Sequence, residues 1–297
     1  MKYVRSTAAL PVGRIRLFAA LRGLALAAGL TILPAAALAE TETPRWEQEN
    51  RPCRILSIGN SFSAQIEDGF PAAAKAIGKS VDFLHCKVGA STLQNHSDNL
   101  NTLGYYTMVV RFTTPAGSTG NPFGTAKGNA TAADWSTTEI LKALDWDVVT
   151  LQQRSITSSD VNSYDPYLGN LVTEIRKIRP NVKIYFHQTW TFDRYGPASW
   201  GKEWGGDVAK RDAFYDGINN AVSTMVAKHS LAGVIPVGYA TQLFRYRKPV
   251  IDQADDFCSN DHQHFNGSSL KYYEPSAIGK YLQALVFAGT LLGEVPT

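Results

Sequence analysis

The chain has 297 residues, 44% of them hydrophobic and 19% charged, with three cysteines and a formal charge of +3. That length suits one domain with a sizeable core. No block of Lys or Arg is present, which argues against nucleic acid or an anionic membrane as a partner.

The basic excess belongs to the leading segment. Lys2, Arg5, Arg14, Arg16 and Arg22 form a basic stretch without an acid, residues 23–36 are apolar, and Ala37-Leu38-Ala39 is a small-x-small cleavage site before Glu40. Residues 1–39 therefore read as a secretory signal peptide that is removed, which predicts a periplasmic or secreted protein. A membrane anchor fits less well, because the apolar run is shorter than the ~20 residues of a span and Pro34 interrupts it. Ile15 separates Arg14 from Arg16, so the twin-arginine signature is missing; the lack of a cysteine after the cleavage site argues against a lipoprotein. Without residues 1–39, 24 basic residues face 26 acidic ones, a net charge of −2.

Residues 40–53 are a polar lead-in, and residues 54–297 are expected to form a single domain. Strands are predicted at 54–58, 81–85, 147–152, 182–187 and 233–237. Helices are predicted at about 66–77, 136–144, 164–179, 207–229 and 275–293, the last with Pro275 in its first turn. Short apolar strands alternating with helices of ten or more residues indicate βαβ units, and hence an α/β fold. The expectation is a three-layer α/β/α sandwich with a five-stranded, mostly parallel sheet. Two segments break the alternation and read as insertions at the mouth of a site. Residues 101–130 hold a β-like run (105–113) and a Gly/Thr/Asn-rich loop. Residues 190–206 hold Trp190, Phe192, Tyr195, Trp200 and Trp204 among glycines.

The first strand, Ile55-Leu56-Ser57-Ile58, ends in Gly59-Asn60-Ser61-Phe62-Ser63. Such a layout ends a buried strand on a tight turn and presents the Ser61 hydroxyl at the carboxyl edge of the sheet, where open α/β sheets bind ligands. A free serine is a weak nucleophile at neutral pH and needs an adjacent base. Asp261-His262-Gln263-His264 supplies an imidazole with a carboxylate three residues before it. In this reading Ser61 is the nucleophile, His264 the base, and Asp261 fixes its tautomer.

These blocks, with Val88-Gly89-Ala90-Ser91 after the second strand, resemble the SGNH (GDSL-type) hydrolase superfamily over roughly residues 54–292. The resemblance is to a branch whose third strand ends in Leu-Gln-Gln. It implies a flavodoxin-like sandwich and an oxyanion hole built from the N–H groups of Ser61 and Gly89 and one side-chain amide. The superfamily's Gly-x-Asn-Asp block is replaced here by Gln152-Gln153-Arg154-Ser155. A glutamine offers the same donors on a longer stem, so Gln153 is the expected substitute, with Gln152 as the alternative. The superfamily also places a proline directly after the histidine, whereas Phe265-Asn266-Gly267 follow His264 and Pro275-Ser276-Ala277-Ile278-Gly279 comes about ten residues late. That departure keeps His262 open as a second candidate base.

Other constellations are weaker. A metal on Asp261, His262 and His264, completed by His187 or Asp256, competes with the triad, but neither HExxH nor a Cys-x-x-Cys pair occurs. Residues 196–202 mimic a phosphate loop but continue into Glu203. His85, His96, His187 and His229 read as packing or surface residues. The tryptophans Trp190, Trp200 and Trp204 suit stacking on sugar rings, or form the loop's own small core. Cys86 and Cys258 are expected near the catalytic edge, which allows a disulfide between them; the other reading is three buried thiols, Cys53 included.

The sequence thus predicts an exported serine esterase without metal or cofactor. Its substrate would be a small-molecule or polysaccharide ester, with O-acetyl groups on carbohydrate foremost. No nucleic acid partner and no stable membrane insertion are expected. A lipid ester or thioester is the nearest alternative substrate. A glycan-binding protein that kept the fold and lost turnover is the alternative class.

Overall fold

A computed structural model describes residues 43–114, 121–130, 133, 135–191, 208–246, 275 and 277–296. The strands among them are β1 (Cys53–Gly59), β2 (Val81–Lys87), β3 (Thr107–Phe112), β4 (Lys127–Ala130), β5 (Val148–Leu151), β6 (Lys183–His187) and β7 (Gly233–Ile235). The helices are α1 (Arg45–Gln48), α2 (Gly69–Ala76), α3 (Leu93–Asp98), α4 (Thr137–Ala143), α5 (Tyr167–Ile178), α6 (Val208–Lys228), α7 (Val237–Tyr246) and α8 (Ala277–Leu291). One sheet holds all seven strands in the order β4-β3-β2-β1-β5-β6-β7. Neighbours from β2 through β7 run parallel, while β3 is antiparallel to β2 and to β4.

Period-two alternation divides the central strands between two cores. Cys53 and Ile55 of β1 face one side with Val81 and Phe83 of β2; Leu56 and Ile58 face the other with Leu84 and Cys86. Because both faces are covered, these strands read as continuous apolar runs. The first side is closed by Trp46 of α1, Phe70 of α2, Val237 of α7 and Phe287 of α8. The second is closed by Leu93 of α3, Ile140 of α4, Leu171 of α5 and Ile218 of α6. The expected α/β/α sandwich is present, and the described residues from Arg45 onward belong to one compact unit.

The sheet has seven strands, not five, and the extra pair comes from the segment read as an insertion at the mouth of the site. Met108, Val110 and Phe112 of β3 alternate into the second core, so this run adds an edge to the sheet. It begins opposite Lys87, at the carboxyl end of β2, and finishes opposite Asp82 at the other end. There the fully buried Asp82 carboxylate accepts four bonds, from the N–H and hydroxyl of both Thr113 and Thr114, at 2.7–3.2 Å. An antiparallel strand has carried the chain away from the Ser61 edge, so the loop after β3 departs from the opposite edge.

Helices α1, α3 and α7 lie outside the predicted set. The α3 sequence, Leu-Gln-Asn-His-Ser-Asp, is poor in helix formers. It is started by a capping box in which Thr92 accepts from the N–H of Asn95 and Asn95 accepts from the N–H of Thr92. Cys86 is a free, buried thiol, as is Cys53. Cys86 sits on the core face of β2, among apolar side chains, and burial pushes its pKa up. Cys258 lies outside the described residues.

Candidate active site

β1 ends at Gly59 because two side chains occupy the space a Cβ would take. A methyl group there would fall 2.6 Å from Gln152 Oε1 and collide with Ser63 Oγ. The turn that follows is built by Asn60, which is buried. Its Oδ1 accepts the Phe62 N–H at 2.9 Å, its Nδ2 donates to the Ser91 carbonyl at 3.0 Å, and its own N–H reaches Gln152 Oε1 at 3.3 Å. Asn60 therefore laces the end of β1 to the end of β2 and to the end of β5. Val88 N–H also donates to the Gly59 carbonyl at 3.2 Å.

Ser61 is half-buried on this turn, and its carbonyl accepts from Gln65 Nε2 at 2.8 Å. Next to it, Val88-Gly89-Ala90-Ser91 closes a turn in which Ser91 N–H donates to the Val88 carbonyl at 3.2 Å. Ala90 holds φ of 56°, a left-handed conformation that non-glycine residues adopt at a cost. Gly89 is exposed, and a side chain added to it would meet open space. The N–H groups of Ser61 and Gly89 donate to no protein group among the described residues. Two unengaged backbone donors at the carboxyl ends of adjacent strands form an arrangement that can receive a developing oxyanion.

The two glutamines differ sharply. Gln153 Nε2 donates to the carbonyl and hydroxyl of Ser163 at 2.8 and 3.1 Å, and its Oε1 accepts from the N–H groups of Leu93 and Arg154 at 3.1 and 2.8 Å. Its amide is engaged on both ends, away from the Ser61 turn. Gln152 Oε1 meets the Asn60 N–H, while its buried Nε2 has no hydrogen-bond partner among the described residues. The residue with a donor to spare beside the Ser61 turn is Gln152, the alternative in the sequence reading, and not Gln153.

Trp190 also departs from expectation. It is fully buried and stacks on Phe62, centroids 4.1 Å apart and planes 5° from parallel. A side chain so enclosed offers no face to a sugar; it anchors the Ser61 turn to the segment after β6. Trp200, Trp204, Asp256, Asp261, His262 and His264 lie outside the described residues.

Two buried Ser–His contacts underlie the edge and were not anticipated. Ser63 Oγ stands 2.8 Å from His85 Nε2, and His85 Nδ1 stands 2.7 Å from Glu67 Oε1, which Lys87 Nζ also reaches at 2.8 Å. Ser91 Oγ stands 2.8 Å from His96 Nε2. Burial holds His85 below the ordinary imidazole value, with Glu67 opposing. Burial also drives His96 down to about 3. For Glu67, burial raises the carboxyl pKa, but the bonds and charges of His85 and Lys87 outweigh it and leave it below the usual range. The signal for His85 was visible in β2, as a polar residue inside a strand apolar on both faces.

A family profile described as Domain of unknown function (DUF4886) matches residues 54–285. Among solved structures, a DUF4886 family protein from Bacteroides uniformis superposes with a TM-score of 0.66 at 22% identity, over 82% of this chain and 84% of its own. A protein from Slackia heliotrinireducens assigned to the SGNH hydrolases superposes with a TM-score of 0.51 at 18% identity, over 81% of this chain and 100% of its own. Among curated proteins, none matches the sequence. The fold is that of the SGNH hydrolases.

Proposed function

Given that the chain belongs to the DUF4886 family, we propose that it is an exported serine esterase that removes small acyl groups, chiefly O-acetyl groups on carbohydrate. The observation that carries this reading is the pairing of Ser61 with two unengaged backbone N–H groups, its own and that of Gly89, at the sheet edge where ligands bind. Ser61 Oγ attacks the ester carbonyl as His264 takes its proton and Asp261 steadies the imidazolium. The N–H groups of Ser61 and Gly89 and the spare amide donor of Gln152 receive the oxyanion. Collapse expels the sugar alkoxide, which takes the proton back from His264. Water, activated by the same imidazole, then releases the acyl group from Ser61.

Export rests on the leading 39 residues, and the carbohydrate preference rests on Trp200 and Trp204 as stacking surfaces. The test is hydrolysis of a chromogenic acetyl ester and of an O-acetylated oligosaccharide. The wild type is expected to turn over both, with activity lost in Ser61→Ala and in His264→Ala. Turnover that survives in Ser61→Ala would overturn the reading. Loss in His262→Ala with retention in His264→Ala would move the base to the neighbouring imidazole.

A further inference from the structure

The turn that carries Gly89 is closed by Ser91, whose hydroxyl and histidine neighbour the proposed chemistry does not use. Ser91 and His96 are both buried, so neither meets a substrate directly. Ser91 Oγ lies 2.9 Å from the Val88 carbonyl, 2.8 Å from His96 Nε2 and 3.4 Å from the Gly59 carbonyl. The Val88 carbonyl and the N–H of Gly89 belong to one planar peptide group. Whatever orients that carbonyl therefore aims the Gly89 N–H at the opposite end of the same plane. The turn needs holding, because Ala90 sits in the left-handed region at φ of 56°, a conformation that costs a non-glycine residue energy.

We propose that Ser91 and His96 are positioning residues for the Gly89 oxyanion donor: His96 Nε2–H fixes the Ser91 hydroxyl, and the hydroxyl holds the Val88 carbonyl so that the Gly89 N–H keeps its aim. This role deepens the esterase reading and rests on it for its effect on rate. The protons balance with a neutral ring. Burial drives His96 down to about 3, so near neutral pH its imidazole carries one proton. On Nε2, that proton goes to Ser91 Oγ, and the hydroxyl donates its own to the Val88 carbonyl, so both contacts are hydrogen bonds. Nδ1 is then a bare acceptor. On Nδ1, the proton meets no partner among the described residues, the hydroxyl turns to Nε2, and the carbonyl keeps only the Ser91 N–H at 3.2 Å. A buried N–H without a partner is the rarer and costlier orphan, and that arrangement also makes one bond fewer, so the Nε2 proton wins. Tyr106 stacks on the imidazole at 5.6 Å and Tyr105 meets it edge-on at 6.0 Å, which holds the ring plane. Replacing the Ser91 side chain leaves in place the backbone tie to the Ser61 turn, the 3.0 Å bond from Asn60 Nδ2 to the Ser91 carbonyl.

One measurement reads the proton directly and needs no turnover. Nitrogen NMR of the histidine rings in the folded wild type near neutral pH should show His96 neutral, with its proton on Nε2. A proton on Nδ1, or a doubly protonated ring, would overturn the proposal. The kinetic arm compares Ser91→Ala, Ser91→Thr, His96→Phe and the double variant Ser91→Ala/His96→Phe with the wild type, each first checked for a native melting transition. On a chromogenic acetyl ester, Ser91→Ala and His96→Phe should each lower kcat by ~10-fold, less than the ~10²–10³ of an outright lost donor, with KM unchanged. Ser91→Thr, which keeps the hydroxyl, should restore most of the rate. Because both side chains act through one carbonyl, the double variant should lose no more than Ser91→Ala alone. Wild-type kcat in Ser91→Ala, a loss expressed in KM alone, or losses that multiply in the double variant would overturn the proposal. Should His96→Phe not fold, Ser91→Ala against Ser91→Thr carries the kinetic comparison. A wild type without ester turnover would sink the esterase reading alone, and the ring proton would still decide how Ser91 is held.

Discussion

At position 59 a single methyl group separates a working turn from a broken one. Gly59→Ala would push into Gln152 and Ser63, and overpacking of this kind costs ~1–3 kcal/mol. We expect that loss in denaturant unfolding, together with failure of ester turnover, because both displaced side chains support the nucleophile turn. The glutamine pair gives a sharper contrast. Gln152→Ala should lose ~10²–10³ in kcat, the usual cost of a missing oxyanion donor, and about 1 kcal/mol of stability as the Asn60 N–H loses its acceptor. Gln153→Ala removes bonds to Ser163, Leu93 and Arg154 and should cost ~1–3 kcal/mol of stability. Equal kinetic losses in the two variants would contradict the assignment. The turn that carries Ser61 was legible in the sequence because an apolar run broke on Gly-Asn-Ser. The choice between Gln152 and Gln153 was not, because adjacent residues past a strand end point opposite ways and only tertiary partners decide which amide is occupied.

Among the elements, the parallel strands were legible because both of their faces are buried and their composition shows it. The β3–β4 pair was not, because Tyr105–Thr113 reads equally as a loop strand or as an edge added to β2. The decisive contact, Asp82 with Thr113 and Thr114, spans some thirty residues. Another long-range tie joins the entry of β1 to that of β5. Arg51 donates to both Asp147 oxygens at 2.6 and 2.8 Å, and Asp147 also accepts the Arg54 N–H at 2.9 Å. Both side chains are largely shielded, at 16% and 11% exposure. Arg51→Ala leaves the carboxylate with one donor fewer and should cost ~1–3 kcal/mol. Chemical denaturation would show it; a change under ~0.5 kcal/mol, the range of ordinary surface substitutions, would mean that solvent replaces the guanidinium.

At the scale of the molecule, three histidines are buried among the described residues, His85, His96 and His187. Burial drives His187 down to about 3, as it does His96, and lowers His85. Each imidazole binds a proton more readily unfolded, where its pKa is ~6.5. The unfolded chain therefore binds more protons between pH ~6.5 and about 3, and stability falls as the pH drops through that window. One such group contributes a slope of ~1.4 kcal/mol per pH unit well below pH 6.5. His187 packs edge-on against Phe287 at 4.9 Å, and neither ring nitrogen has a hydrogen-bond partner among the described residues. His187→Leu should therefore flatten the urea-midpoint profile between pH 4 and 6 by about one group's slope, and an unchanged profile would show that His187 does not carry it.

The central claim is that Ser61 is an activated nucleophile. The most direct measurement is reaction of the folded protein with a fluorophosphonate, with the adduct mapped by mass spectrometry. One adduct is expected, on Ser61, and it disappears in Ser61→Ala. An adduct on another serine, or a folded chain that takes up no reagent, would contradict it.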